Sequence, residues 1–176
     1  MGTYKGKAMY RIRPVEKSDR AAVVEILNQA IRSGTQIAFL SEVSLEERQH
    51  WFEEHQSALH PMLVAEYDGR VVVWISLSAY RPGREALRHT VEVSYGVEAS
   101  MRRKGVGTAM LRRILEVAKK PGHRIVFAIV FDNNVATLAL LKKCEFEKWG
   151  HLPEVAELNG KRVGHDYLGM KLKGFS

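Results

Sequence analysis

The stretch of sequence that decides the fold runs from Glu92 to Lys120 and is EVSYGVEASMRRKGVGTAMLRRILEVAKK. Its first residues alternate apolar and polar side chains, which is typical of a β-strand with one buried face. Its last part repeats apolar side chains at steps of three and four residues, so it predicts an amphipathic helix. Between them lies a basic, glycine-containing turn, Arg102 to Thr108. A strand, a glycine turn and a helix in this order are a common arrangement for holding a phosphate group.

The turn has the chemical properties of an anion site. The first N–H groups of a helix have no intrahelical acceptor and carry partial positive charge. Gly105 and Gly107 would let a pyrophosphate approach the backbone closely, and Arg102, Arg103 and Lys104 add charge beside them. Taken alone, the stretch is also compatible with a solvated basic loop before a helix.

Two familiar phosphate loops do not fit this spacing. In GxxxxGK[ST] a lysine follows the glycines, whereas Lys104 precedes them here. In GxGxxG a third glycine is needed where this chain has Met110. The pattern that fits is Arg-x-x-Gly-x-Gly, from Arg102 to Gly107.

Length and composition predict one globular domain over residues 9–176, preceded by a possible tag remnant or disordered N-terminus at 1–8. The chain has 176 residues, of which 45% are hydrophobic and 27% charged. No apolar run approaches the roughly 20 residues of a membrane span, and no secretory signal is visible. We therefore expect a cytoplasmic protein with no membrane partner.

Charge and cysteine content narrow the function classes further. The net charge of +7 is spread along the chain apart from the turn, and no aromatic-rich motif accompanies it, so we expect no nucleic-acid partner. The single cysteine, Cys144, excludes an internal disulfide and predicts a small buried side chain. The seven histidines show no ligand spacing, so no metal is expected.

Periodicity and turn signals predict the element order β-αα-β-β-β-α-β-α-β-β. In the first half, Ser18 should cap a helix over Asp19 to Arg32 that Gly34 ends, and Ser44 should open a second helix through His55. On that second helix, Trp51 and Phe52 are expected to be packing residues. Later expectations are a strand buried on both faces at Ile125 to Phe131, a helix over Val135 to Cys144 and a final hairpin around Asn159-Gly160.

This order, with Arg-x-x-Gly-x-Gly after the fourth strand, resembles the Gcn5-related N-acetyltransferase (GNAT) fold. Within that superfamily the chain is most similar to the phosphinothricin and methionine sulfoximine N-acetyltransferases. The shared features are Ile12-Arg13-Pro14, Trp51-Phe52, Pro61 with Val64-Ala65-Glu66, Tyr80-Arg81, Thr90-Val91-Glu92 and Asn134-x-x-Thr137. The resemblance implies an α/β (α+β) fold with a mixed, mostly antiparallel sheet of about seven strands. Four helices would flank this sheet, which would splay between strands 4 and 5.

The resemblance also implies acetyl-CoA as cosubstrate and a set of residues that bind it. The turn would hold the pyrophosphate, the strand before it would pair with the pantetheine arm, and the next helix would bind near the thiol. These positions are Tyr95, Val97, Arg102, Arg103, Lys104, Gly105, Val106, Gly107, Thr108 and Asn134.

On the acceptor side, Glu92 matches the proposed general base of this group. An acceptor amine is protonated at neutral pH and must lose a proton before it can attack, and a nearby carboxylate can take that proton. The resemblance places Tyr80, Arg81 and Thr90 at the acceptor, and the loop with Phe39 could line the same site.

Several positions depart from the group's pattern. Leu141 stands where a Tyr or His usually donates a proton to the departing thiolate, so that proton would come from water, Tyr95 or Tyr167. Leu87 replaces an expected tyrosine, and the tryptophan expected within residues 163–166 is missing, so the acceptor is not fixed. Besides Arg81, the loop arginines Arg84 and Arg88 could bind a carboxylate or simply be solvated.

The interpretation is an acetyl-CoA-dependent N-acetyltransferase of a small, amino-acid-like amine, with a homodimer expected through the C-terminal strands. Two alternatives stay open from the sequence. One is a protein N-terminal or lysine acetyltransferase, and the other is a coenzyme A-binding module without catalysis.

Overall fold

The computed structural model describes residues 10–34 and 37–172, and within them a seven-stranded sheet is flanked by four helices. The expected tag remnant or disordered segment at 1–8 lies outside these ranges. The strands are β1 Arg11–Pro14, β2 Met62–Tyr67, β3 Arg70–Ala79, β4 Thr90–Val97, β5 Ile125–Phe131, β6 Glu147–Leu158 and β7 Lys161–Lys171. The α-helices are α1 Arg20–Ser33, α2 Gln49–Glu54, α3 Val106–Lys119 and α4 Val135–Lys143.

The strand order is β1-β2-β3-β4-β5-β7-β6, and β4 with β5 is the parallel pair in an otherwise antiparallel sheet. These two strands pair only from Thr90–Ile125 to Glu92–Phe127. Beyond that point β4 continues to Val97 and β5 to Phe131 without pairing to each other. The sheet therefore opens into a V, which confirms the predicted splay between strands 4 and 5.

Each face of the sheet packs against a different pair of helices. On one face, α3 and α4 bury apolar side chains such as Met110, Ile114 and Leu141 against β2 to β5 and β7. On the other face, α1 and α2 pack against Val64 and Trp74. The helices end near where the turn signals predicted, because Gly34 adopts φ 68° after α1 and Pro121-Gly122 follows α3.

Two helix starts differ from the predicted ones. Ser18 lies in a short 3₁₀ turn and does not cap α1, which begins at Arg20. Ser44 and Glu47 do make the reciprocal bonds of a capping box, at 2.6 and 3.2 Å. The segment after them nevertheless forms turns, and α2 starts only at Gln49.

The prediction of a strand buried on both faces was also wrong for β5. Ile125, Phe127 and Ile129 are only half-buried, whereas the alternate residues are buried among the core side chains. The half-buried side chains lie on the sheet face of Glu92, since Glu92 is paired with Phe127. That face holds the site rather than a closed core.

No helix in the described ranges is long and apolar enough to cross a membrane.

The edge of the sheet is held by Arg13 on β1, whose guanidinium donates to both Asp19 oxygens at 2.5 and 2.9 Å and to Glu66 on β2 at 3.2 Å. Asp19 also accepts from the Glu16 N–H at 2.7 Å. Arg13 holds the pKa of the Asp19 carboxyl below its usual range through these hydrogen bonds.

A depressed carboxyl pKa contributes stability at pH values above the unfolded-state pKa, and that contribution is lost as pH falls through the folded-state pKa. We expect Asp19→Asn to lower the free energy of unfolding by about 2 kcal/mol at neutral pH. The difference in free energy of unfolding between Asp19→Asn and wild type should become smaller below about pH 4. Urea unfolding across pH measures it. Glu42→Gln, which removes an exposed partner of Arg32, is the control with little expected effect. A pH-independent loss in Asp19→Asn would contradict the ionic origin.

Candidate active site

A cleft of about 900 Å³ opens along the V between β4 and β5. Its walls are β4 from Glu92 to Val97, β5 from Ala128 to Phe131, and parts of β7 and α4. The turn before α3 lines one end, and α1 with segment 37–51 lines another part. Because the two strands stop pairing here, the cleft reaches the backbone of β4 itself.

The basic turn forms the start of α3 as the sequence predicted. Gly105 is the N-cap residue with φ 83°, a left-handed conformation that favours glycine. Ala109 N–H is the first to bond within the helix, to Gly105 O at 3.2 Å, so the N–H groups of Val106, Gly107 and Thr108 have no intrahelical acceptor. Arg102 and Arg103 line the cleft with them, whereas Lys104 is exposed and is not among the lining residues.

The two glycines of the turn are needed for different reasons. An added Cβ on Gly105 would meet no atom within 4 Å, so its requirement is conformational. A Cβ on Gly107 would come within 2.8 Å of Leu140 Cδ1. Gly107 is therefore buried where α3 packs against α4, which adds a packing role to the open approach to the backbone that the sequence suggested.

The α4 wall of the cleft, which packs against the turn, is held by a small set of hydrogen bonds. The side-chain amide oxygen Oδ1 of Asn134 accepts from Thr137 N–H at 3.2 Å and caps the helix. The Tyr95 hydroxyl donates to Thr137 Oγ1 at 2.9 Å, and burial raises the pKa of Tyr95. Leu141 is fully buried in the core, so this position supplies no proton donor.

Glu92 lies on β4 at the last residue that pairs with β5, with Ser78 and Phe127 as its cross-strand partners. Its carboxylate makes no hydrogen bond or ion pair within the described part of the chain. Burial raises the pKa of Glu92 above its ordinary value. A carboxylate of this kind is a stronger base than an exposed one, since desolvation disfavours its charged form.

Aromatic side chains and one arginine line the cleft on the α1–α2 side. Phe39, Trp51 and Trp74 are lining residues, and Arg48 lies over the Phe39 ring at 4.4 Å and the Trp51 ring at 5.4 Å from the centroids. Phe52 is buried as predicted. Trp51 packs against Trp74 at 5.2 Å but also faces the cleft, so the expectation that it serves packing alone was incomplete.

Tyr80, Arg81 and Thr90 do not line this cleft. They lie beside it at the end of β3 and the start of β4, where Tyr80 stacks on Phe127 at 4.8 Å and the guanidinium of Arg81 lies 5.5 Å from the Tyr80 ring. Trp149 on β6 meets the other side of Phe127 at 5.3 Å, nearly perpendicular. This row of three rings, Tyr80–Phe127–Trp149, we call the aromatic shelf. The other loop arginines, Arg84 and Arg88, are exposed.

Sequence reasoning missed several of these residues. Trp149 on β6 contacts Phe127, and no local spacing indicates that contact. Arg48 and Trp51 lie three residues apart and therefore share one side of their helical turn, which was the available signal for their common position. His165 and Tyr167 also line the cleft.

Comparison with known sequences gives a consistent family match. The sequence profile of the acetyltransferase (GNAT) family matches residues 22–146. The Bacillus subtilis protein YwnH, provisionally named a phosphinothricin acetyltransferase, is 38% identical over 92% of this chain and 98% of its own length. An L-methionine sulfoximine/L-methionine sulfone acetyltransferase from Pseudomonas aeruginosa is 30% identical over 92% of this chain and 94% of its own.

The fold is shared with solved structures as well. A Salmonella typhimurium protein provisionally named an acetyltransferase, solved with acetyl-CoA, superimposes with a TM-score of 0.88 at 28% identity. The match covers 95% of this chain and 96% of that one.

The aromatic shelf depends on a glycine, because a Cβ on Gly169 would overlap Trp149 Cε3. We expect Gly169→Ala to displace Trp149 from Phe127 and to lower the free energy of unfolding by about 1 kcal/mol. The cost should disappear in a Trp149→Ala background. Gly150→Ala is the matched control in the same strand pair, since its Cβ meets Tyr167 Cβ at an ordinary 3.8 Å. Denaturant unfolding of the four variants measures this, and an unchanged cost without Trp149 would contradict the packing explanation.

Proposed function

Because the chain belongs to the GNAT family of N-acetyltransferases, we propose that it transfers the acetyl group of acetyl-CoA to the amine of a small amino-acid-like acceptor by direct attack. The observation that carries this proposal is the composition of the cleft. An anion-binding helix start and a desolvated, unpaired carboxylate line the same space. Acetyl transfer from acetyl-CoA to an amine uses the helix start to bind the cofactor phosphates and the carboxylate to take the proton of the amine.

In the proposed complex the pyrophosphate of acetyl-CoA binds the free N–H groups of Val106, Gly107 and Thr108, with Arg102 and Arg103 beside it. Lys104 adds charge from outside the lining. The pantetheine arm pairs with the open edge of β4 at Tyr95 and Val97, and Asn134 binds near the thiol end. Beyond Glu92 the backbone groups of β4 that face β5 are unpaired, which supports this arrangement, since such groups need partners.

Glu92 acts as the general base of the proposed reaction, directly or through a water. A positioned base is worth about 10²–10⁴ in rate. Backbone donors on β4 would stabilise the oxyanion that forms on the thioester carbonyl. The raised pKa of Glu92 supports this role, as does the lack of a partner for its carboxylate within residues 10–34 and 37–172.

The departing thiolate takes its proton from water, Tyr95 or Tyr167. Tyr167 lines the cleft, whereas the Tyr95 hydroxyl proton is bonded to Thr137. We keep all three as alternatives. Comparing the pH–rate profiles of Tyr95→Phe and Tyr167→Phe with that of wild type distinguishes these three proton donors. If both profiles are unchanged, water is the donor.

The acceptor would bind on the far side of Glu92 from the phosphate turn, against Phe39 and the neighbouring aromatic rings. Tyr80, Arg81 and Thr90 would contact its outer end from beside the cleft. The acceptors named for the Bacillus and Pseudomonas relatives are free amino-acid derivatives, which does not favour a peptide acceptor or a module without catalysis. Thiol release from acetyl-CoA with a panel of amino acids, amines and peptides identifies the acceptor.

We also propose a cytoplasmic homodimer. Edge strand β6 exposes Trp149, Leu152 and Val155, and a second copy would cover them. Light scattering decides the assembly, since a monomer mass at micromolar concentration would contradict it. Cell fractionation tests the location.

We expect Glu92→Gln to lower kcat/KM by about 10²–10⁴ with little change in acetyl-CoA affinity. Because the base works in its ionised form, wild-type kcat/KM should fall as pH drops through a pKa above that of a free glutamate, and the variant should lose this limb. Steady-state rates across pH and calorimetric titration with acetyl-CoA measure both. Glu98→Gln, just past the end of β4 and outside the lining, is the control. Wild-type rates in Glu92→Gln would remove Glu92 from the mechanism.

A further inference from the structure

Arg48 occupies an unusual position for a cation. Its guanidinium lies 4.4 Å from the Phe39 ring centroid and 5.4 Å from that of Trp51, and all three residues line the cleft. Its Nε atom is buried and has no hydrogen-bond acceptor in the part of the chain that the structure describes. Burial lowers the pKa of Arg48, and the nearby Glu47 carboxylate offsets this only in part.

Other arginines of the chain show what is missing at Arg48. Arg13 is bonded to Asp19 and Glu66, and Arg32 to Glu25 and Glu42. No carboxylate lies within ion-pair distance of Arg48 across residues 10–34 and 37–172. A partly buried charge without an ion-pair contact is costly, so this position favours an anionic ligand.

A second buried donor belongs to the same cluster. The indole Nε1 of Trp74 has no acceptor among the described residues, and Trp74 also lines the cleft. Its ring meets Trp51 edge-on at 5.2 Å, so Trp51 contacts both Trp74 and Arg48. The cluster thus has two donors without an acceptor in the described ranges, and the neighbouring Glu47 carboxylate accepts from the Ser44 N–H rather than from Arg48. Its complement is a group that only accepts hydrogen bonds.

We propose that Arg48 binds the α-carboxylate of the acceptor and thereby selects amino acids over simple amines. This inference rests on the proposed function, because it assigns a subsite within the same cleft. A carboxylate accepts up to four hydrogen bonds and pairs with guanidinium in a fixed geometry. The phosphates of acetyl-CoA are not competitors, since the turn with Arg102 and Arg103 provides for them at the α3 end.

The sequence instead offered Arg81, Arg84 and Arg88 as carboxylate ligands, with a solvated basic loop as the open alternative. Those arginines are exposed and outside the cleft lining. The rings of Phe39 and Trp51 hold Arg48 in place, so less conformational entropy is lost when a ligand binds.

The test uses L-methionine sulfone and its decarboxylated analogue, 3-(methylsulfonyl)propan-1-amine, as paired acceptors with saturating acetyl-CoA. We expect Arg48→Met to raise KM for the amino acid about 30- to 100-fold and to change kcat and the amine's KM little. Arg48→Lys should recover part of the loss. Arg20→Met is the matched control, since Arg20 also lies over an aromatic ring, Phe52 at 5.1 Å, but does not line the cleft.

Equal losses on both acceptors would overturn the inference, and so would a selective loss in Arg81→Met in place of Arg48→Met. A wild type that acetylates the amine as well as the amino acid would also overturn it while leaving the proposed function intact. If the wild type acetylates neither compound nor any other acceptor, the proposed function fails. Calorimetric binding of methionine sulfone to wild type and Arg48→Met then decides the subsite, and equal or absent binding contradicts it.

Discussion

The end of pairing between β4 and β5 after Glu92 is the constraint on which the rest of the structure depends. Three residue pairs join the two strands. From Val93 to Val97 the β5-facing edge of β4 is then unpaired, while its other edge stays paired with β3. Unpaired strand backbone inside a protein is costly unless something else bonds to it. The cleft, the helix start and the acceptor side all border this opening, so one interruption of the sheet provides the whole site.

The side chains around the opening show the same incompleteness. Burial raises the pKa of Glu92. In the described residues its carboxylate has no partner, and the donors Arg48 Nε and Trp74 Nε1 have no acceptors. Elsewhere the chain satisfies comparable groups, as Arg13 does with Asp19 and Glu66. Unsatisfied groups of opposite character in one cleft fit an acceptor that carries both an amine and a carboxylate. They form a consistent basis for both proposals.

What the sequence could predict was local. The turn from Arg102 to Gly107 and the alternation in β4 are patterns within a few residues, and both elements formed as expected. The order of strands and helices was sufficient to predict the seven-stranded sheet and its splay through resemblance to a family. Helix starts were less predictable. The N-cap residue of α1 is Asp19 rather than Ser18, and Asp19 is fixed by a hydrogen bond from Arg13 on β1.

What the sequence could not show depends on contacts between distant elements. Trp149 reaches Phe127 because Gly169 leaves space for its ring, and no spacing rule connects these three residues. Arg48 was passed over in favour of Arg81 because a glycine-containing loop with several arginines is a conspicuous local feature. Only the fold shows that Arg48 lines the cleft and that the loop arginines, Arg81, Arg84 and Arg88, do not.

Hydrogen exchange of the backbone amides with and without acetyl-CoA tests the central claim most directly. If the open edge of β4 and the start of α3 hold the cofactor, the amides that face the opening between Val93 and Val97, and those of Val106 to Thr108, should gain protection. Those of β1 and β2 should change little. Unchanged exchange along β4 under saturating acetyl-CoA would contradict the account, because the opening in the sheet would then serve some other purpose.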